Sequence, residues 1–209
     1  PEDRIRVIPN FLLDQHFRGV ASTIVRERHH FIYASSPDRG LIRLLRLWPR
    51  IREKLPDATL DMFYGWRGCS KLGGGAGDAG WLKRFGEARM EYERLRFQPG
   101  VRERGMVNHA LLAIEFRRAS VWAYPTDFTE TFCTNAVKAR AAGCVLVTTP
   151  LAALEESAAC ALTRFIPIGD DATADNPFGS AYDDAFVMAA VAATETPDAD
   201  RAAMSEEAI

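Results

Sequence analysis

Two short turns, residues 36–40 and 125–130, carry the side chains whose types and spacing suit chemistry. Arg39 in the first turn can donate charge-assisted hydrogen bonds to a phosphate. Glu130 at the end of the second turn can accept hydrogen bonds from the hydroxyl groups of a sugar. Each turn precedes a helical pattern, and a helix N-terminus presents amides and partial positive charge that favour an anion. The two turns together predict a ligand that is part sugar and part phosphate.

A plainer interpretation of the same residues stands beside this one. Ser-Pro-Asp before a helix is a common cap, and an arginine in a first helical turn is often simply solvated. That description fits Arg39 when it is taken alone. Glu130 is harder to explain in this way, because the turn that begins at Pro125 is long and leads into an alanine-rich helix. The ligand hypothesis therefore rests on Glu130 more than on Arg39.

The elements that must position these turns alternate between strands and helices. Apolar, β-rich runs predict strands at 31–35, 59–64, 120–124, 144–148 and 164–168, and a short strand end at the start of 107–119. Helical spacing predicts helices at 41–55 (with Pro49 as a candidate kink), 81–95, within 107–119, from 130 to 143, at 151–161 and at 181–194. Strands separated by helices of this length imply βαβ crossovers. The predicted fold is α/β, a Rossmann-like parallel sheet with helices on both faces.

Polar and aromatic residues follow several of these strands directly. In an open parallel sheet, ligands bind beyond the carboxyl ends of the strands, so these residues are expected to converge on one edge. They are Ser36, Asp38, Arg39, Gly40, Gly65, Trp66, Arg67, Thr126, Asp127, Thr129, Glu130 and Thr149. We expect that edge to hold the site.

Composition argues against several other classes of function. The 209 residues carry a formal net charge of −2, whereas nucleic-acid binders usually carry a basic surplus. No apolar run approaches the roughly 18 residues that cross a bilayer, so we expect a soluble chain without a transmembrane segment. The four cysteines show no CxxC spacing and do not lie at ligand spacing with the four histidines. That pattern predicts reduced thiols, no metal site and a cytoplasmic location.

The segment 125–143 reads Pro-x-x-x-x-Glu-x-Phe and, after six further residues, Ala-x-Ala-x-Gly. It resembles the signature turn and helix in the C-terminal, donor-binding domain of retaining glycosyltransferases of family 4, which have the GT-B fold. Segments 5–10, 33–41 and 64–66 are similar to other parts of that domain. The resemblance implies that residues 1–195 form a Rossmann-like nucleotide-sugar-binding domain. Residues 196–209 are then a polar tail for which the sequence leaves helix and disorder open.

The resemblance implies roles for the matching positions. Glu130 would bind hydroxyls of the donor sugar, and Arg39 would neutralise the diphosphate and stabilise the leaving nucleotide. The other implied donor-binding positions are Ser36, Gly40, Gly65, Trp66, Lys138 and the backbone amides of Phe132, Cys133 and Thr134, with residues after Gly105 lining the base. No cofactor is implied besides the nucleoside-diphosphate sugar itself. Because the chain starts without methionine and is short, we interpret it as a piece of a longer polypeptide whose N-terminal domain binds an acceptor sugar or glycan.

One position departs from the family's signature. The family has a second glutamate eight positions after the first, and this residue usually receives the ribose hydroxyls. Lys138 stands there, and its ammonium has only hydrogen-bond donors. The sequence leaves open whether Lys138 pairs with a phosphate or with Glu130. Ser35 and Ser36 also stand where the family often has an arginine.

Three other functions fit part of the sequence. A catalytically weakened glycosyltransferase-like domain that acts as a binding or structural module fits the presence of Lys138. A nucleotide-sugar epimerase of the GT-B fold would use the same sheet edge without an acceptor sugar. A doubly wound domain of unrelated function is the third, because a fold does not fix a function.

Overall fold

A six-stranded parallel sheet forms the centre of the computed structural model, which describes residues 16–17, 24–66, 79–173 and 176–208. The strands are β1 (Glu27–Tyr33), β2 (Thr59–Phe63), β3 (Val101–Gly105), β4 (Ala119–Tyr124), β5 (Val145–Thr148) and β6 (Thr163–Phe165). Their order across the sheet is β3-β2-β1-β4-β5-β6, and every neighbouring pair is parallel. The predicted Rossmann-like α/β fold is confirmed.

Helices cover both faces of this sheet. They are α1 (Leu41–Lys54), α2 (Ala79–Leu95), α3 (His109–Arg118), α4 (Thr134–Ala141), α5 (Leu154–Ser157), α6 (Tyr182–Ala193) and α7 (Asp198–Glu207). In one layer, α1 packs against α2 and α6. In the other layer, α4 packs against α3 and α7. All six residues of β4 are buried, as expected for a central strand that is covered on both sides. Among the helices in the described ranges, none is both long and apolar enough to cross a bilayer.

One strand, β3, was not predicted from the sequence. The sequence predicted a short strand end at the start of 107–119, where the structure has a loop followed by α3. The sequence of β3 is Val-Arg-Glu-Arg-Gly, which contains no apolar run that would mark a strand. The reason is its position, since β3 lies at the edge of the sheet and pairs only with β2. Edge strands commonly carry charged side chains, which discourage pairing with other chains.

The arginines of β3 also neutralise a buried carboxylate of the neighbouring strand. Asp61 of β2 is 1% exposed and accepts a hydrogen bond from Arg102. Its other oxygen lies 3.3 Å from Nε2 of His30 and 3.7 Å from Nε of Arg104. Burial alone would raise the pKa of the Asp61 carboxyl, but the nearby His30 and the hydrogen bond from Arg102 outweigh burial and lower that pKa. The arginines of β3 are thus the partners that a buried carboxylate requires.

Helix α1 continues through Pro49, and a side chain from outside the helix compensates for the proline. The nitrogen of Pro49 carries no hydrogen, so the carbonyl of Leu45, four residues earlier, loses its helical partner. Nε2 of Gln98 donates to that carbonyl at 2.8 Å. From the neighbouring position, Nε1 of Trp48 donates to the carbonyl of Pro99 at 2.9 Å. The turn between α2 and β3 is therefore hydrogen-bonded to the middle of α1.

The last helix, α7, is held to the sheet by a buried arginine. Arg201 is 2% exposed and donates to the carbonyls of Ser120 at 2.7 Å, Ala193 at 2.9 Å and Thr196 at 3.0 Å. Burial lowers the pKa of Arg201 to about 10, so the side chain stays charged at neutral pH. The polar tail, for which the sequence left helix and disorder open, is helical over Asp198–Glu207. The division of the chain at residue 195 stays a prediction.

Replacing Gln98 by Met is expected to lower the free energy of unfolding by about 1–2 kcal/mol, because the Leu45 carbonyl then has no donor. In a Pro49→Ala background the same replacement is expected to cost much less, because the restored amide donates to Leu45 within the helix. Chemical denaturation of the four proteins measures this coupling. An equal cost of Gln98→Met in both backgrounds would contradict our account of α1.

Candidate functional site

The turns after β1 and β4 meet where the direction of the chain across the sheet reverses. Strands β1 and β4 are neighbours, and the chain leaves β1 for α1 in one layer and β4 for α4 in the other. In doubly wound sheets this reversal opens the crevice in which ligands bind. Gly40, which precedes α1, has φ of 106°, and a Cβ there would lie under 3.0 Å from the carbonyl oxygen of Pro125. Only glycine permits the two turns to pack this closely.

The crevice brings Arg39 and Glu130 together, in agreement with the prediction that the residues following the strands converge on one edge. Nη1 of Arg39 lies 3.3 Å from each carboxylate oxygen of Glu130. The Arg39 guanidinium also stacks on the ring of Phe128, 4.0 Å from its centroid. Burial would lower the pKa of Arg39, but the Glu130 carboxylate, with smaller contributions from Tyr124 and Asp38, raises it. A cation and an anion thus lie side by side at the carboxyl edge of the sheet.

Glu130 is only 7% exposed and is held by its surroundings. The hydroxyl of Tyr124, the last residue of β4, donates to Oε1 of Glu130 at 2.7 Å. The backbone carbonyl of Glu130 accepts from the amide of Ala153 at 3.3 Å, which ties the turn to the segment after β5. Burial raises the pKa of the Tyr124 hydroxyl, so this group stays a donor to the carboxylate. Sequence reasoning did not identify Tyr124, although a tyrosine at the end of a buried strand needs a partner for its hydroxyl.

The turn after β1 holds Ser36 inside the site. Its side chain is buried and donates to Asp38, and its carbonyl accepts from the Tyr33 hydroxyl at 2.7 Å and from the amide of Arg39 at 3.0 Å. Ser35 is also buried, and its hydroxyl lies 3.4 Å from that of Tyr124. The serines at these positions therefore fix the shape of the turn through hydrogen bonds.

The N-terminus of α4 lies beside Glu130. Cys133 caps this helix and is buried, Phe132 before it is half-buried, and Thr134 after it is exposed. Burial raises the pKa of the Cys133 thiol to about 12, and the nearby Glu130 carboxylate adds to this effect. The thiol is therefore neutral. The first amides of a helix have no partner within it, so those of α4 suit an anion placed next to Glu130.

Lys138 occupies the second turn of α4 and is half-buried. Its ammonium lies 3.5 Å from Oδ1 of Asn135, and within the described parts of the chain no ion pair joins it to Glu130. Burial lowers the pKa of Lys138. Asn135 in turn donates from its side-chain amide to the carbonyl of Ala34, directly after β1. Pairing of Lys138 with a phosphate stays a prediction.

The end of β2 borders the same edge, but its two aromatic residues differ in placement. Trp66 is 7% exposed and packs edge-on against Tyr92, with ring centroids 5.6 Å apart. Tyr64 is 38% exposed. Gly65 between them has φ of 71°. Arg67, most of the glycine-rich loop at 72–80 and the segment 5–10 lie outside the described residues.

Comparisons with known proteins identify the fold. No family model and no curated protein matches the sequence. The pneumococcal O-GlcNAc transferase GtfA, solved with UDP and GlcNAc, is 17% identical with a TM-score of 0.59, over 90% of this chain and 33% of that one. A UDP-forming trehalose-phosphate synthase from Burkholderia xenovorans is 17% identical with a TM-score of 0.59, over 94% and 41% of the two chains. WaaG, a glycosyltransferase involved in lipopolysaccharide biosynthesis, is 16% identical with a TM-score of 0.58, over 88% and 42%.

These solved structures are GT-B glycosyltransferases, and the similarity to them establishes the fold of this chain. The chain spans between a third and about two-fifths of their length. The sheet and helices described above therefore form a Rossmann-like unit of the kind found within GT-B glycosyltransferases.

Gly40→Ala is expected to lower the free energy of unfolding by about 2 kcal/mol or more, because an alanine would adopt left-handed backbone and collide with the Pro125 carbonyl. Gly86→Ala is the matched control. Gly86 lies in α2 with no atom within 4 Å of a Cβ placed there, so its replacement is expected to stabilise by about 0.5–1 kcal/mol. Thermal and chemical denaturation measure both effects. Equal responses at the two glycines would contradict the tight contact between the turns.

Proposed function

We propose that this chain is the donor-binding domain of a retaining glycosyltransferase that resembles family 4, and that its ligand is a nucleoside-diphosphate sugar. The observation that carries the proposal is the Arg39–Glu130 pair, which lies at the chain reversal beside the N-terminus of α4. A cation and helix amides suit a diphosphate, and a carboxylate suits sugar hydroxyls. The GT-B fold supports the same function, since the solved structures with this fold include transferases.

On this proposal, Arg39 binds the diphosphate. Its side chain is 31% exposed, so a ligand can reach the guanidinium, while Phe128 beneath it restricts its orientation. A diphosphate that arrives would compete with Glu130 for the same cation. Arg39 would then stabilise the negative charge that grows on the nucleotide as it leaves, which is an electrostatic contribution to catalysis.

Glu130 is proposed to receive hydroxyls of the donor sugar. Tyr124 already donates to one of its oxygens, which leaves capacity for further hydrogen bonds on a carboxylate of fixed position. The backbone amides of Phe132, Cys133 and Thr134 would complete the contacts to the sugar or its phosphate. Because the Cys133 thiol is neutral, it does not repel an anion at the start of α4.

The rest of the reaction lies beyond this domain. The acceptor is proposed to be a sugar or glycan that binds to a second, N-terminal domain, because the solved structures with this fold are more than twice as long. We further propose that the protein acts in the cytoplasm, with the donor sugar as substrate and without a cofactor or metal ion.

Glu130→Gln is expected to change two affinities in opposite directions. It removes the carboxylate that competes for Arg39, so binding of UDP alone is expected to stay equal or tighten. An amide is also a weaker hydrogen-bond acceptor for sugar hydroxyls than a carboxylate. The ratio of the affinity for a UDP-sugar to the affinity for UDP is therefore expected to fall about tenfold. Calorimetric titration with UDP and a panel of UDP-sugars, repeated for other nucleotides, measures both.

Arg39→Gln is expected to weaken the binding of UDP and of UDP-sugars by the same factor, about 10- to 100-fold, because a charge-assisted contact is lost. Arg50→Gln is the control, because Arg50 also pairs with a carboxylate, that of Asp184, but is exposed and lies within α1. It should leave all affinities unchanged. If the unaltered protein binds none of the nucleotides at millimolar concentration, the proposed function is wrong.

Lys138 supports a second candidate, a glycosyltransferase-like domain that no longer catalyses and serves as a binding module. Its half-buried ammonium supplies no acceptor for ribose hydroxyls. Lys138→Glu separates the two candidates. A rise in nucleotide affinity of about tenfold is expected if the site is active but altered, since a carboxylate can accept two hydroxyl hydrogen bonds. Absence of donor binding both before and after the replacement would favour the binding module.

A further inference from the structure

Tyr64 adopts a backbone conformation that few residues other than glycine accept. Its φ is 86°, in the left-handed region, where the Cβ of an L-residue crowds its own backbone. Among the described residues that are not glycine, only Tyr64 and Ala152 have a positive φ. Such strain persists only where the surrounding structure imposes it, and it concentrates at functional sites.

The neighbours of Tyr64 show what imposes this conformation. The amide of Tyr64 donates to the carbonyl of Gly105 at 3.0 Å, which ties the end of β2 to the end of β3. Gly65 also has a left-handed φ, and Trp66 directly afterwards is packed against Tyr92. The chain therefore turns sharply at residues 64 and 65, which buries the tryptophan and leaves the tyrosine 38% exposed.

The backbone of Tyr64 lies at the same edge of the sheet as the turns that carry the two charged residues of the proposed donor site. Glu130 follows β4, Arg39 follows β1 and Tyr64 follows β2, and these strands are successive neighbours in the sheet. Neighbouring strands are about 4.8 Å apart, so the end of β2 lies roughly 10 Å from the end of β4. An extended nucleoside-diphosphate sugar with its sugar at Glu130 and its phosphates near Arg39 would bring its base to β2.

We propose that Tyr64 is the platform on which the nucleobase stacks, and that the left-handed backbone is what presents its ring at the sheet edge. The inference rests on the proposed function, because it takes the direction of the ligand from Arg39 and Glu130. Stacking on an aromatic ring is tolerant of base identity, since every base has a π face. Tyr64 therefore raises the affinity for nucleotides without selecting among them. Trp66, the aromatic residue that the sequence indicated, is buried and packs against Tyr92.

Three replacements of Tyr64 separate the ring from the backbone strain. Tyr64→Phe keeps both, Tyr64→Ala removes the ring and keeps the strain, and Tyr64→Gly removes both. Dissociation constants are measured by calorimetry for inorganic pyrophosphate and for whichever of UDP, GDP, ADP and CDP the unaltered protein binds most tightly. Thermal unfolding of each variant is measured without ligand.

Nucleotide affinity is expected to follow the ring. Tyr64→Phe should bind the nucleotide as the unaltered protein does, and the Ala and Gly variants should each lose about tenfold. Pyrophosphate has no base, so its affinity should be the same in all four proteins. Thermal stability is expected to follow the backbone, with Tyr64→Gly unfolding a few degrees above Tyr64→Ala, because glycine accepts the left-handed conformation.

The outcomes distinguish a failure of the role proposed for Tyr64 from a failure of the proposed function. Full nucleotide affinity in the Ala and Gly variants would overturn the role of Tyr64 and leave the proposed function intact. An equal loss of nucleotide and pyrophosphate affinity would overturn it as well, since it would indicate a general distortion of the edge. Equal stability of the Ala and Gly variants would contradict the proposal that a strained backbone at residue 64 presents the ring. If the unaltered protein binds no nucleotide, both proposals fail together.

Discussion

The contact between Gly40 and the carbonyl of Pro125 determines the geometry of the whole site. It joins the turn that leads to α1 with the turn that leads to α4, although the two helices lie in different layers of the fold. Arg39 is next to Gly40, and Glu130 is five residues after Pro125, so a close approach of the two backbones brings their side chains within 3.3 Å. A larger residue at position 40 would separate the turns and the charges with them. The packing of two loops thus decides the electrostatics of the edge.

The fold was largely predictable because its central strands are apolar on both faces. Strands such as β4 and β5 are continuous buried runs, and their alternation with helices indicates a parallel sheet without further information. Strand β3 could not be found in this way. Its residues Arg102 and Arg104 resemble those of a surface loop until the buried carboxylate of Asp61, on another strand, explains them. Partnerships between distant residues leave no local pattern.

At the candidate site too, features set by local sequence were predictable and contacts between distant residues were not. The placement of Arg39 and Glu130 at the carboxyl edge was predictable, because each lies in the turn that follows a predicted strand. The support given to Glu130 by Tyr124 was not, because it depends on the angle at which the turn folds back over β4. At the end of β2 the family resemblance implied Gly65 and Trp66 as donor-binding positions and gave no role to Tyr64. Which of two nearby aromatic residues is buried depends on left-handed backbone angles that composition does not reveal.

The opposite edge of the sheet is held by a different kind of interaction. Arg201 reaches from α7 to carbonyls of the segments that begin β4 and end α6, so one side chain fixes three parts of the fold. Its acceptors are peptide carbonyls, which do not titrate, whereas Arg39 relies on a carboxylate. Anyone who transplants this domain into a chimeric enzyme must therefore carry the sequence past Arg201. A junction placed earlier would leave carbonyls of the central strand without their Arg201 donor, at the edge of the sheet farthest from the candidate site.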